Sequence, residues 1–236
     1  KPPEQWSEAL QVDPPQDPNF HQLAPVLAFG TQAPGFGKIC PRDGKLHCSI
    51  VDGVRDRDCS GKASHFLSWV WSYKLSLPLR ALRHFADKHP WERHEVRIWW
   101  CFFCNNQFRI LQGGGAKSST KELASAFGEN VKKIGKAWML LDRLQQSTYV
   151  TRIWCIFEVY VSRKHDVPFT ILIDPEQQLE HDCDISSVEE LGEACKVHAE
   201  CATATVKEDE EGIKQEIIES FGSFQEVNGV VEEQLL

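Results

Sequence analysis

From Thr151 to Lys164 the sequence reads TRIWCIFEVYVSRK, which sets Trp154, Cys155 and Glu158 within little more than one turn of a helix. A carboxylate in that setting has two readings. On an amphipathic helix whose Trp and Ile face a core, Glu158 is a solvated side chain or a partner of Arg152 or Arg163. At the rim of a nucleotide pocket it is a catalytic group. Trp154 and Cys155 read as core residues that orient the helix.

Other residues with chemical potential are weaker candidates. Cys101 and Cys104 in CFFC have the spacing of zinc ligands or a redox pair. They end a continuous apolar run, however, and in a strand residues three apart face opposite sides, so buried thiols are expected. Cys40, His47, Cys48, Cys59 and His65 lie in a polar loop at irregular spacings without a CxxC knuckle, and no metal is assigned to them. Asp142 and Asp174 fall near strand ends, where turn and capping roles are usual. Gly113 to Gly115 lack the Lys-Ser/Thr of a phosphate-binding loop.

The totals restrict what these groups serve. A formal net charge of -8 argues against nucleic acid, whose phosphates require a basic stripe. No run approaches the roughly 18 apolar residues of a membrane span. Nine Cys is an odd number without scaffold spacing, and several sit in apolar runs, which points to a reducing compartment inside a cell. The chain starts at Lys1 with no signal-peptide pattern, so an organellar address removed from its front is compatible with it.

The elements that must position these residues follow from pattern. Residues 1–62 form a Pro/Gly-rich arm and a Cys-containing loop, with eight Pro between Pro2 and Pro41 that bar helix and central strand, so an extended arm is expected. Such an arm must lie on its own domain or on a partner to offset its ordering entropy. From residue 63 apolar runs alternate with helical patterns. Strands are predicted at Ala63–Trp71, Glu95–Cys104, Lys136–Leu144, Val167–Pro175 and Cys201–Val206. Helices are predicted at Leu75–His89, from the capping pair Ser119 and Glu122, at TRIWCIFEVYVSRK, at SVEELGEACKVHAE and at EDEEGIKQEIIESFG. That alternation predicts an α/β fold over 63–222, a five-stranded parallel flavodoxin-like sheet with helices on both faces and sites at the carboxyl ends of its strands. Residues 223–236 read as an acidic tail.

Two segments carry a resemblance. HFLSW followed by a helix resembles the first strand of Toll/interleukin-1 receptor (TIR) domains, and TRIWCIFE resembles their Ser-Arg-Trp-Cys-Leu-Asp-Glu motif, with Trp154, Cys155 and Glu158 in register. Taken with CPRDG and CFFCNNQ, the set looks most like TIR-like proteins of unicellular algae. In active TIR enzymes the helix glutamate assists cleavage of the nicotinamide–ribose bond of NAD. The resemblance therefore implies Glu158 as catalytic carboxylate, Ser68 and Trp69 lining the substrate pocket, and NAD as substrate rather than resident cofactor. Where TIR domains often carry a basic residue after the aromatic, this chain has Val70 and Trp71, so charge for a pyrophosphate would come from Arg109, Lys117 or Arg143. TIR-type surfaces also associate with one another or with protein partners. The expectation drawn here is a non-catalytic interaction module whose arm wraps a neighbour, as an accessory subunit of a larger assembly, organellar in an algal setting. An NAD-cleaving hydrolase using Glu158 is the alternative.

Overall fold

The computed structural model describes residues 17–54, 60–90, 95–111, 120–176, 192, 193 and 195–236. The chain divides into two compact units built from discontinuous segments. The first takes residues 1–63, 71–76 and 97–117, and the second residues 64–70, 77–96 and 118–236.

Among the described residues the helices are α1 (Phe20–Leu27), α2 (Ile50–Val54), α3 (Ser76–Lys88), α4 (Cys101–Cys104), α5 (Gln107–Leu111), α6 (Thr120–Ile134), α7 (Ile153–Lys164), α8 (Lys207–Phe221) and α9 (Phe224–Leu235). The strands are β1 (His65–Ser68), β2 (Ile98–Trp99), β3 (Ala137–Leu141) and β4 (Phe169–Ile173), and in the second unit three of them lie side by side in the order β1-β3-β4. Within the second unit β1 runs parallel to β3 with Ser68 opposite Met139, and β3 runs parallel to β4 from Ala137–Phe169 to Leu141–Ile173. All five residues of β3 are buried, as its apolar run AWMLL predicts for a strand covered on both faces. The fold is thus α/β on a parallel sheet, with four strands among the described residues where five were expected.

The missing strand has a local cause. Cys201–Val206 makes a turn, with Cys201 and Ala202 amides both donating to His198 O, and then a single parallel bridge between Thr203 and Arg152. Thr203 accepts from the Ile153 amide at 3.1 Å, so this segment satisfies an otherwise unpaired first-turn donor of α7 and extends no ladder.

The run Glu95–Cys104 is also shorter as a strand than expected. Phe103 and Cys104 amides turn back onto Trp100 O at 2.9 Å and wind the chain into α4. Phe102, fully buried, meets Phe20 at 5.1 Å and Trp71 at 5.3 Å between ring centroids within the first unit. Periodicity cannot separate a buried strand from a buried turn in so apolar a run, and tertiary aromatic packing decides it.

The extended-arm reading fails over Phe20–Leu27, and residues 1–16 lie outside the described residues. Asn19 caps α1 in a reciprocal capping box with Gln22, and Pro25 sits inside the helix. The predicted acidic tail is α9. Its residues Val227, Val231 and Leu235 recur at helical spacing and are buried, while its acidic side chains are structural acceptors. Glu226 accepts from the Tyr160 hydroxyl at 3.0 Å and Glu232 from the Val197 amide at 2.8 Å. Of the helix expected in SVEELGEACKVHAE, residues 187–191 and 194 lie outside the described residues, Gly192 and Glu193 are helical, and 195–200 is turn and irregular chain, so the helix does not reach Glu200. Among the described residues no helix is long and apolar enough to cross a membrane.

Candidate functional site

The second unit brings two of the predicted site residues into direct contact. Ser68 is the last residue of β1 and has no solvent exposure, so its hydroxyl must find partners inside the protein. Glu158 lies in the second turn of α7. That helix is enclosed on almost every side, with Ile153, Cys155, Ile156, Phe157, Val159, Tyr160, Val161 and Ser162 all buried. The one-sided amphipathic reading therefore does not describe it, and Glu158, half-buried, turns its carboxyl inward.

The Ser68 hydroxyl donates to Glu158 Oε2 and also meets the hydroxyl of Tyr149. Tyr149, fully buried in the 3-10 turn Thr148–Thr151, donates in addition to the carbonyl of Cys155 at 3.3 Å. Three contacts run in series from Glu158 through Ser68 and Tyr149 to Cys155 O. With the carboxyl ionised, Ser68 donates to it and two hydroxyl protons cannot fill all three contacts; with the carboxyl protonated, Glu158 donates to Ser68, Ser68 to Tyr149 and Tyr149 to Cys155 O, and all three are filled. Burial pushes the Glu158 carboxyl from its ordinary 4.5 up to about 8, against the lowering effect of the Ser68 hydroxyl. Near neutral pH the protonated carboxyl and the complete chain of hydrogen bonds go together.

Around this cluster the α7 termini are secured by hydrogen bonds, from side chains at one end and from the backbone at the other. At the N-terminus, Arg152 donates to the hydroxyls of Thr203 and Thr205 at 3.4 and 2.8 Å. At the C-terminus, Asp166 adopts a left-handed conformation with φ 56°, while Val167 N donates to Ser162 O and Asp166 N to Arg163 O. That pattern is a Schellman stop. Arg163 pairs with Glu233 at 3.7 Å, so neither arginine suggested as a partner of Glu158 is joined to it.

The other predicted residues are differently employed. Trp69 is 5% exposed, its ring packed inside, and its carbonyl accepts from the Cys155 thiol at 3.4 Å. Trp154 packs edge-on to Phe157 at 6.2 Å. Arg143 is exposed and donates to Gln146 O at 3.2 Å within its own loop. Arg109 belongs to the first unit, where it grips Asp43 through two nitrogens at 3.0 and 3.1 Å. Its guanidinium holds the Asp43 carboxyl down at about 2. Lys117 lies outside the described residues.

Both strand-end aspartates have structural employment. Asp142 accepts from the hydroxyls of Ser147 and Thr148 at 2.5 and 2.6 Å and from the Thr148 amide at 3.0 Å, shaping the turn that carries Tyr149. Asp174, 1% exposed, is clasped by Arg80 of α3. Tyr149 and Arg80 are the participants that sequence reasoning missed. Each sits far along the chain from its partner, and no spacing pattern announces either.

In the loop before β1, His47 accepts from the Gly37 amide at 3.0 Å and its ring stacks on Phe36 and on Phe108 at 4.9 and 4.6 Å. Cys40 and Cys48 are buried, and Cys59 lies outside the described residues. Among the described residues no three His, Cys, Asp or Glu side chains converge as a metal site. Set against family models, curated proteins and solved structures, the chain matches none of them.

Proposed function

We propose that this chain is a non-catalytic TIR-like interaction module, a subunit that acts by associating with protein, first of all with a second copy of itself. The observation that carries the reading is the internal employment of Glu158. Cleavage through an oxocarbenium-like transition state wants a negative charge beside the sugar. A carboxyl that titrates near 8 and spends its oxygen on Ser68 supplies little of that charge at neutral pH.

A surface suited to association lies in the first unit. Ile39 and Leu46 face each other across an antiparallel bridge and are 57% and 53% exposed, and Phe36 beside them is 43% exposed. Three large apolar side chains kept in water on one hairpin are the usual mark of a contact site.

Sedimentation velocity over a concentration series tests association, with the double variant Ile39→Glu/Leu46→Glu as control. Concentration-dependent dimers that vanish in the variant are expected. Monomers at every concentration in the unaltered chain would remove the self-association reading. In parallel, concentrated protein is incubated with NAD. Nicotinamide release that disappears in Glu158→Gln would replace the module with the alternative, an NAD-cleaving hydrolase.

A further inference from the structure

We propose that Cys101 and Cys104 are a redox pair that closes reversibly to an intramolecular disulfide. The sequence places them in a strand, where they would point apart. The fold places them on α4 at positions i and i+3, on one face of a single helical turn.

The geometry of that turn favours closure. Ordinary helical spacing leaves Cβ atoms three residues apart at about 5–6 Å, whereas a disulfide needs roughly 3.5–4.5 Å. Tightening toward 3-10 geometry eclipses residues i and i+3 and shortens the gap. The turn already carries a bond of that type, Phe103 N to Trp100 O at 2.9 Å, beside the α-type bond from Cys104 N to the same oxygen. Tightening disturbs little else, because the helix is only one turn long and the backbone is extended again at Asn105.

The surroundings divide the turn into an anchor and a reactive side. Phe102 is fully buried against Phe20, Trp71 and Phe103, which fixes where the turn sits. Cys101 and Cys104 are both half-buried thiols, open enough for a small disulfide to reach them. Burial holds the Cys104 thiol above its ordinary range, with the Arg42 charge a small opposing influence and Asp52 reinforcing it. Burial thus slows attack by Cys104, and the exchange is written with Cys101 attacking first.

The exchange balances with a low-molecular-weight disulfide as oxidant. The Cys101 thiolate attacks one sulfur of glutathione disulfide, forming a mixed disulfide and releasing one glutathione thiol. The Cys104 thiolate then attacks the Cys101 sulfur and releases the second. Two protein thiols lose two electrons and two protons, and glutathione disulfide gains them.

Trypsin makes the test direct, because the peptide 98–109 lies between Arg97 and Arg109 and contains these two cysteines and no others. The whole chain is equilibrated in glutathione mixtures of graded oxidised-to-reduced ratio, acid-quenched, alkylated and digested. A peptide lighter by two hydrogens and free of label should rise with the ratio and disappear with dithiothreitol. In Cys104→Ser it should be replaced by a glutathione adduct on Cys101. The folded chain should close the bond at a ratio about tenfold or more below that needed in guanidinium, since the fold pre-positions the thiols. A doubly alkylated peptide at every ratio would overturn the proposal, as would equal midpoints in folded and unfolded chains or pairing with other cysteines.

Discussion

The hydroxyl of Ser68, at the carboxyl end of β1, is joined to the carboxyl of Glu158 in the second turn of α7, and through this bond strand and helix share one internal proton network. Its third member, Tyr149, comes from the turn after β3, so three separate segments meet at one small polar cluster. A cluster so placed is costly when incomplete, because each buried polar atom left without a partner destabilises by about 1–3 kcal/mol.

The network sets a pH dependence. Glu158 titrates near 8 when folded and near its ordinary 4.5 when unfolded, so between those values the folded protein binds more protons. Stability contributed by this group therefore falls as pH rises through that window. Glu158→Gln has no proton to lose. Urea unfolding should show the variant gaining on the unaltered chain by up to a few kcal/mol from roughly pH 5 to pH 8, with the difference level above that. A difference that does not change with pH would disprove the protonated cluster.

Tyr149→Phe removes the hydroxyl that links Ser68 to the Cys155 carbonyl. A loss of about 1–2 kcal/mol is expected from chemical unfolding, with little change in circular dichroism because the ring still fills its site. A neutral result would mean that the phenol hydroxyl is dispensable to the cluster.

At the other end of α7, Asp166 holds φ 56°, a conformation that favours glycine. Asp166→Gly should stabilise by about 0.5–1 kcal/mol, and Asp166→Val should destabilise by about 1–2 kcal/mol. Thermal midpoints of the two variants should move in opposite directions. Parallel movement would show that the side chain, and not the backbone, matters there.

Arg80→Ala strands the carboxylate of Asp174, which is buried at the end of β4. Removing one partner of a fully buried pair destabilises by about 3–5 kcal/mol. Since the Arg80 side chain is 40% exposed and water reaches part of it, about 2–3 kcal/mol is expected by equilibrium unfolding. The double change Arg80→Met/Asp174→Leu should recover most of that loss.

Sequence pattern located the central strands and α3 of the second unit well, because their signals are local. AWMLL and FTILI are short apolar runs between turns, and Pro78 falls in the first turn of α3 where its missing amide does no harm. Patterning failed where distant contacts decide. Whether CFFC is strand or helix depends on Phe20 and Trp71, and whether residues 224–235 dangle or fold depends on Tyr160 and the 197–199 backbone. The candidate site was half legible. Ser68 and Glu158 stood out through the TIR resemblance, whereas Tyr149 has no sequence mark and Arg109 is committed to Asp43 for reasons invisible in spacing.

The docking of α9 bears on how this protein is made. Val227, Val231 and Leu235 complete the covering of a core that includes α7, so the second unit cannot close before residue 235 has been synthesised. At about 5–20 residues per second, ribosomes need roughly 4 to 14 seconds to travel from Lys164 to that point. For that interval a helix that the finished fold buries on almost every side stands without its full cover on the nascent chain.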